Sequence, residues 1–542
     1  MDRPDGMGGN MSVIQINNLS FTYPGSYTPV FSNISFSMDT DWRLGLVGRN
    51  GRGKTTLLRL LAGELTGTGQ IISSAAFDLF PFPVDEEYPA LTVLRNAVAP
   101  FDAWEQRMEA LLRLQTKEAL AEWGNIEHRY AAHDGYVINE LIAREADKMG
   151  VDPAALERPF LSFSPGERTR MLLASLFLRK NRFLLIDEPT NHLDMAGRDT
   201  AAAYLASKQG FLLVSHDRAF LDRSVDHIVA LEKADIRVER GTYSSYRHNK
   251  QLQDDFERAQ NEKLAKDIRR LEASSREKAS WSDRVEKTKI GEGPIDRGYI
   301  GAKSAKMMKR SLAIQARIAR QVEEKEALLK NLEYTAPIKL ASLQHAQRTL
   351  LCLDDVCAGY DPQAPAVSNL SLSIQRGDRV ALSGCNGSGK STLLKLMAGS
   401  LAPFSGTVSR APDLALSILP QTADSLIGTP RDIAAARGLD LSHFLMLLRK
   451  FDFPREAFDR DARGLSMGQK KKLLIAASMA VSAHIYLWDE PLNYIDVESR
   501  EQIEDMLADT DATMVFVEHD RQFLDLVATR VIVLENGEVT EK

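Results

Sequence analysis

The chain has 542 residues, more than one hydrophobic core ordinarily holds, so two or more domains are expected. It is 44% hydrophobic and 26% charged with a formal net charge of −6, which argues against a general nucleic-acid coat but leaves local basic patches open. No uncharged apolar run reaches the ~18–20 residues a bilayer span requires, and Cys352, Cys357 and Cys385 have no metal-ligand spacing, which suits a reducing, cytoplasmic setting.

Residues 1–11 are Gly-rich and without pattern, and Met11 is an alternative start; the leader is expected to be disordered and is not a secretory signal. A first domain is predicted over 12–246. Its apolar strand Leu44-Gly45-Leu46-Val47 runs into Gly48-Arg49-Asn50-Gly51-Arg52-Gly53-Lys54-Thr55-Thr56, a Gly-rich phosphate loop that opens a helix. Glycines at 48, 51 and 53 let backbone N–H groups close on phosphates, with Lys54 on the β/γ-phosphates and Thr55 on Mg²⁺. The strand Phe183-Leu184-Leu185-Ile186 ends in Asp187-Glu188. Asp187 is placed to hold Mg²⁺ through water, and Glu188 to orient an attacking water as general base. His216 ends the next apolar strand, beside the γ-phosphate side.

A second domain over 348–542 repeats all of this. Its loop reads Gly384-Cys385-Asn386-Gly387-Ser388-Gly389-Lys390-Ser391-Thr392, and its acidic strand ends in Asp489-Glu490, with His519 after it. Tyr23 and Tyr360 precede the loop lysines by 31 and 30 residues, and His216 and His519 follow the aspartates by 29 and 30. A repeat of this kind indicates two α/β nucleotide-binding domains. Lysine to aspartate is 133 positions in the first half and 99 in the second, so the first carries a surplus of 34. It is assigned to 97–150, where Trp104, Met108, Leu111 and Leu112 recur at helical spacing and a second helical run covers 124–148. This segment is either a projecting helical hairpin or a larger helical packing subdomain.

Residues 247–347 connect the two domains and are highly charged. Leu264, Ile268 and Leu271 make one apolar seam and Ile318, Val322, Leu329 and Leu332 another, with helix-breaking Gly291, Gly293 and Pro294 between, as in two long antiparallel helices with a tip at 290–310. From Arg297 to Arg320 there are seven basic residues (297, 303, 306, 309, 310, 317, 320) and no acidic one, a phosphate-seeking patch in an acidic chain. Arg297, Lys303, Lys306, Lys309 and Arg310 are the candidate RNA contacts. Tyr299, Met307 and Met308 either touch bases or a pocket of the partner, or close the tip.

These motif pairs resemble the ATP-binding cassette superfamily over about 430 of the 542 residues. The resemblance adds the segment similar to Leu-Ser-Gly-Gly-Gln: Phe163-Ser164-Pro165-Gly166-Glu167 and Leu465-Ser466-Met467-Gly468-Gln469. It implies that Ser164 and Gly166, and Ser466 and Gly468, meet the γ-phosphate held by the opposite cassette, with Glu167 and Gln469 also in the ATP sites, so Lys54 works with Ser466 and Lys390 with Ser164. It also implies that Tyr23 and Tyr360 stack on adenine and that Asp194 and Asp496 lie at the contact between cassettes. Gln421 matches the family's glutamine that ligates Mg²⁺, but the first half has Phe82 there, so unequal sites are expected.

Paired cassettes joined by a charged helical hairpin look like the F-type subfamily, carried here by Glu188-Pro189-Thr190-Asn191-His192-Leu193-Asp194, the first-half insertion and the hairpin. The stretches from Asp296 to Lys303 and from Met307 to Arg310, Gly48 to Arg52, and Phe82 are similar to antibiotic-resistance members. The resemblance implies a cytoplasmic, monomeric ribosome-binding ATPase that uses ATP and Mg²⁺ and touches large-subunit rRNA and the peptidyl-site tRNA. Its expected role is to displace phenicol, oxazolidinone, lincosamide, pleuromutilin or streptogramin A drugs. A housekeeping translation factor, the ATPase subunit of a transporter and a DNA-repair ATPase are the alternatives.

Overall fold

The structure is a computed structural model that describes residues 13–25, 28–114, 116–191, 193–232, 236–287, 338, 340, 342–535 and 538–541. The first half forms β1 (Val13–Phe21), β2 (Phe31–Asp39), β3 (Arg43–Val47), β4 (Thr68–Ile72), β5 (Ala76–Phe80), β6 (Arg182–Asp187), β7 (Phe211–Val214), β8 (His227–Leu231) and β9 (Ile236–Arg240). The second forms β10 (Thr349–Ala358), β11 (Val367–Gln375), β12 (Arg379–Gly384), β13 (Ser405–Arg410), β14 (Leu416–Leu419), β15 (Ile485–Asp489), β16 (Thr513–Val517), β17 (Arg530–Glu535) and β18 (Glu538–Glu541). Each half folds these into a three-stranded antiparallel sheet, β2-β1-β4 or β11-β10-β13, and a six-stranded sheet, β5-β6-β7-β3-β8-β9 or β14-β15-β16-β12-β17-β18. Five strands of each larger sheet run parallel and the last is antiparallel. Continuous apolar strands such as β7 and β16 suit a parallel sheet covered on both faces.

The helices of the first half are α1 (Lys54–Leu61), α2 (Ala90–Val98), α3 (Phe101–Leu114), α4 (Lys117–Ala132), α5 (Ile138–Lys148), α6 (Pro165–Leu176), α7 (Met195–Ala206) and α8 (Arg218–Ser224). After α9 (Tyr243–Lys287), the second half has α10 (Lys390–Ala398), α11 (Pro430–Ala436), α12 (Leu441–Lys450), α13 (Met467–Met479), α14 (Val497–Ala508) and α15 (Arg521–Val527). Parallel strands bring the segments after β3, β6 and β7, and after β12, β15 and β16, to one sheet edge, which is where ligands of open α/β sheets bind.

The first-half surplus is filled by α3 and α4, which pack together and are tied by Arg107 to Glu122 at 2.8 Å. Two expectations fail here. Leu112 is 50% exposed while Leu111 is buried, so the seam is narrower than its spacing suggested. The run expected over 124–148 is two helices: α4 stops at Ala132, Asp134 takes φ 60°, and Gly135 donates to Tyr130 O at 2.8 Å before α5 begins. A Cβ on Gly135 would fall 2.4 Å from the Tyr130 ring, so the chain turns where only glycine fits.

Both halves belong to one compact unit (1–244 and 336–542), and residues 245–335 form another. In the latter, α9 has 45 residues in all, about 67 Å at 1.5 Å each, with Ile268 buried. The leader, the tip at 290–310 with Arg297, Lys303, Lys306, Lys309 and Arg310, and the second seam lie outside the described residues.

Candidate ATP sites

Gly53 and Gly389 cap α1 and α10 at φ 94° and 98°, and a side chain at 53 would strike Val30 at 2.6 Å. The loops therefore wrap back over their helix N-termini, presenting N–H groups and the helix dipole to an anion. Lys54 Nζ donates to Gly48 O at 2.6 Å, and Lys390 Nζ to Gly384 O and Cys385 O at 2.8 Å. Burial lowers the pKa of both lysines, against which the carboxylates of Asp496, Glu188 and Asp187 act on Lys54, and those of Glu490 and Asp194 on Lys390.

Thr55 donates to Asp187 at 2.8 Å, and Ser391 hydrogen-bonds Asp489. Burial raises the pKa of both aspartates, and Asp489 Oδ1 is buried without a protein partner. A hard oxygen-seeking cation such as Mg²⁺ fits that donor set of hydroxyl and carboxylate oxygens. Bound there, it would neutralise phosphate charge.

The two glutamates share an unusual backbone, φ 50° at Glu188 and 47° at Glu490, with their N–H groups tied to Val214 O and Val517 O at 2.9 and 3.0 Å. Their side chains differ. Glu490 accepts from Gln421 at 2.9 Å and from Asn493 at 2.5 Å. Glu188 lies 3.3 Å from His216 Nε2, and its pKa is pushed up to about 8 by burial and then by Asp187. Burial, with the cations Lys54 and Arg500, holds His216 well below its ordinary value, so this contact joins a neutral imidazole to a carboxyl and is not an ion pair. His519 is likewise lowered, to about 3, by burial and then Lys390, and its Nε2 is buried without a protein partner.

The halves face each other. Asn50 Nδ2 donates to Tyr494 O at 3.0 Å, and a Cβ on Gly468 would fall 2.8 Å from Asn50 Nδ2. The segment from Ser466 to Gln469 thus stands against the first phosphate loop. Ser466 and Ser164 are the N-caps of α13 and α6, each in a capping box with Gln469 or Glu167. Asp194 and Asp496 cap α7 and α14, and Met195 packs on the core of the second half.

Tyr23 lies 2.9 Å from Thr56 Oγ1 and meets Phe21 edge-to-face, while Tyr360 is 70% exposed with Lys395 Nζ 2.8 Å from its hydroxyl. Phe82 lies beneath the Arg179 guanidinium, 4.6 Å from the ring centre. Sequence reasoning missed several residues. Lys471 Nζ donates to Pro420 O, Gln421 O and Asp489 O, and Lys472 pairs with Asp496 at 2.8 Å. Arg198 and Arg500 pair with Asp217 and Asp520. Their repeat positions were the available signal, since each arginine follows the capping aspartate by four residues.

Residues 31–191 and 367–493 match the family described as "ABC transporter". The chain is 29% identical to the putative ATP-binding protein YdiF of Bacillus subtilis, over 98% of this chain and 81% of that one. It is 27% identical to ABC transporter F family member 5 of Arabidopsis thaliana, over 98% and 76%. Among solved structures, the archaeal ribosome recycling factor aABCE1, in complex with the stalk protein aP1, matches 97% of this chain and 89% of that one with a TM-score of 0.57 at 20% identity.

Proposed function

The chain belongs to the ABC transporter family and is an ATPase, and on that premise we propose that it is a ribosome-binding factor of the F type. The observation that carries this reading is the seven-cation run from Arg297 to Arg320 placed between two cassettes, a concentrated attraction for phosphate in a chain of net charge −6. The basic run and Phe82 in place of the glutamine count against the ATPase subunit of a separate transporter. A relative named as an ABC transporter F family member supports the ribosome reading as well.

In this reading the two phosphate loops bind ATP. Thr55 with Asp187, and Ser391 with Asp489 and Gln421, hold Mg²⁺, and Glu188 and Glu490 orient the attacking water. ATP closes the cassettes and hydrolysis releases the factor, while the connector reaches toward the peptidyl-site tRNA. Displacement of a drug from the peptidyl-transferase region is the finer form of the proposal, and a housekeeping role in translation shares every motif with it.

Glu188→Gln with Glu490→Gln should lock an ATP-bound complex that sediments with ribosomes. If the double variant does not enrich on ribosomes in ATP, the reading is wrong. Drug susceptibility on expression separates protection from housekeeping translation.

A further inference from the structure

The internal repeat relates the two sides of the cassette interface position by position, yet their charges do not match. Arg49, in the first phosphate loop, pairs with Glu498 in the first turn of α14 and with Asp452 at 3.2 Å. The spacing that takes Lys54 to Lys390 takes Arg49 to Cys385, and the spacing that takes Asp194 to Asp496 takes Ala196 to Glu498 and Gly150 to Asp452. A thiol, a methyl group and a glycine therefore stand where the first site has an arginine and two carboxylates.

A second contact is present on both sides but uneven. Arg218, two residues beyond His216, pairs with Glu504 and lies 3.7 Å from Glu501, both on α14. Its counterpart Arg521 meets Asp199, the counterpart of Glu501, at 3.8 Å, and Ala202 stands in the place of Glu504. The Arg218 side chain is 11% exposed and that of Arg521 59%. Charges paired away from water attract more strongly than exposed ones.

We propose that Arg49 and Arg218, with Asp452, Glu498 and Glu504, form a one-sided latch that keeps the site between Lys54 and the Ser466 segment shut while the site at Lys390 opens. The interface then works as a hinge, with the latched site as its pivot. Nucleotide exchange is faster at Lys390, and closure there is the step that reports ATP. This goes beyond the ribosome reading and does not depend on it, because it concerns the isolated chain.

The test uses the full chain with Cys352, Cys357 and Cys385 changed to Ser and spin labels on exposed, repeat-related positions. One pair, Glu64→Cys with Glu456→Cys, spans the first site, and the other, Ser400→Cys with Ala154→Cys, spans the second. Electron–electron distances are measured without nucleotide and with ATP in the Glu188→Gln, Glu490→Gln background, in the absence of ribosomes. The expected result is that removing ATP lengthens the 400–154 distance and leaves the 64–456 distance short. Arg49→Ala with Arg218→Ala should abolish the difference, and Arg49→Lys with Arg218→Lys should retain it. Cys385→Arg (in place of Cys385→Ser) with Ala196→Glu, both at exposed positions, should hold the second site short as well. Equal behaviour of the two pairs in the unaltered interface, including no change in either, overturns the latch, as does a difference that survives the alanine variants.

Discussion

Gln421 donates its side-chain N–H to Glu490 at 2.9 Å, whereas Phe82, at the matching place after Pro81, lies 4.6 Å beneath the guanidinium of Arg179. The second site thus has an amide beside its glutamate where the first has a packed ring. A hydrogen bond to a carboxylate contributes about 1.5–3 kcal/mol, so Gln421→Ala should lower kcat for ATP hydrolysis roughly 10–100-fold. The measurement belongs in the Glu188→Gln background, where only the second glutamate is left. Phe82→Ala, measured in the Glu490→Gln background where only the first glutamate is left, should leave kcat within about twofold and cost about 0.5–1 kcal/mol of stability through the lost cation–π contact. Equal kinetic losses from the two changes would falsify the assignment of Gln421.

Glu188, pushed up to about 8 by burial and Asp187, keeps a proton in the folded nucleotide-free chain that an unfolded chain, at about 4.3, has released. The folded state binds more protons across that window, so its contribution to stability is present below the unfolded value and is lost as pH rises toward 8. Glu188→Gln removes this titration. Its thermal stability relative to the native chain, in metal- and nucleotide-free buffer, should increase steadily from pH 5 to pH 8. Parallel melting curves for the two proteins would show that burial does not set the protonation of Glu188.

The cassettes were legible because their chemistry is local. A phosphate loop, an acidic strand end and a strand-end histidine each occupy a few adjacent residues, and the repeat checks each against a twin. Phe82 was equally visible as a departure from its twin. What could not be read depends on residues far apart in sequence. Arg49 was legible only as part of the phosphate loop, because its partners Asp452 and Glu498 stand more than 400 residues away. Lys471 and Lys472, which no motif singles out, are 3% and 5% exposed because carbonyls of the glutamine loop and the carboxylate of Asp496 receive them. Periodicity also carried the second arm helix through residues 133–137, since a turn made by Tyr130 pressing on Gly135 leaves the apolar spacing intact.

That turn gives a prediction of its own. A methyl group at 135 would sit 2.4–2.6 Å from the Tyr130 ring, whose hydroxyl is itself held by Glu105 at 2.7 Å. The ring cannot move freely, so Gly135→Ala should cost about 1–3 kcal/mol, as overpacking generally does. Amide exchange should rise in α4 and α5 while ATP hydrolysis stays within about twofold, because neither helix supplies a candidate site residue. Unchanged exchange would mean that the arm absorbs the methyl by shifting as a body.

Lys472 and Asp496 form a buried pair at 2.8 Å, 5% and 2% exposed, at the contact where Asp496 also faces Lys54 of the other half. Burial works against the Asp496 carboxylate, but Lys472 and the N–H of Ser499 hold its pKa well below the usual range. Removing one partner strands the other charge in a low-dielectric interior, so Lys472→Met alone should cost about 3–5 kcal/mol. Asp496→Asn alone should cost less, because Lys472 keeps the carbonyl of Phe451 at 2.8 Å as a second acceptor. The pair of changes together should recover most of the Lys472→Met loss, since no charge is then left unpaired. Denaturant unfolding of the nucleotide-free chain decides the matter. If the double variant loses the sum of the single losses, the pair is not coupled, and the depressed pKa of Asp496 must come from Lys54 and the helix N-terminus instead.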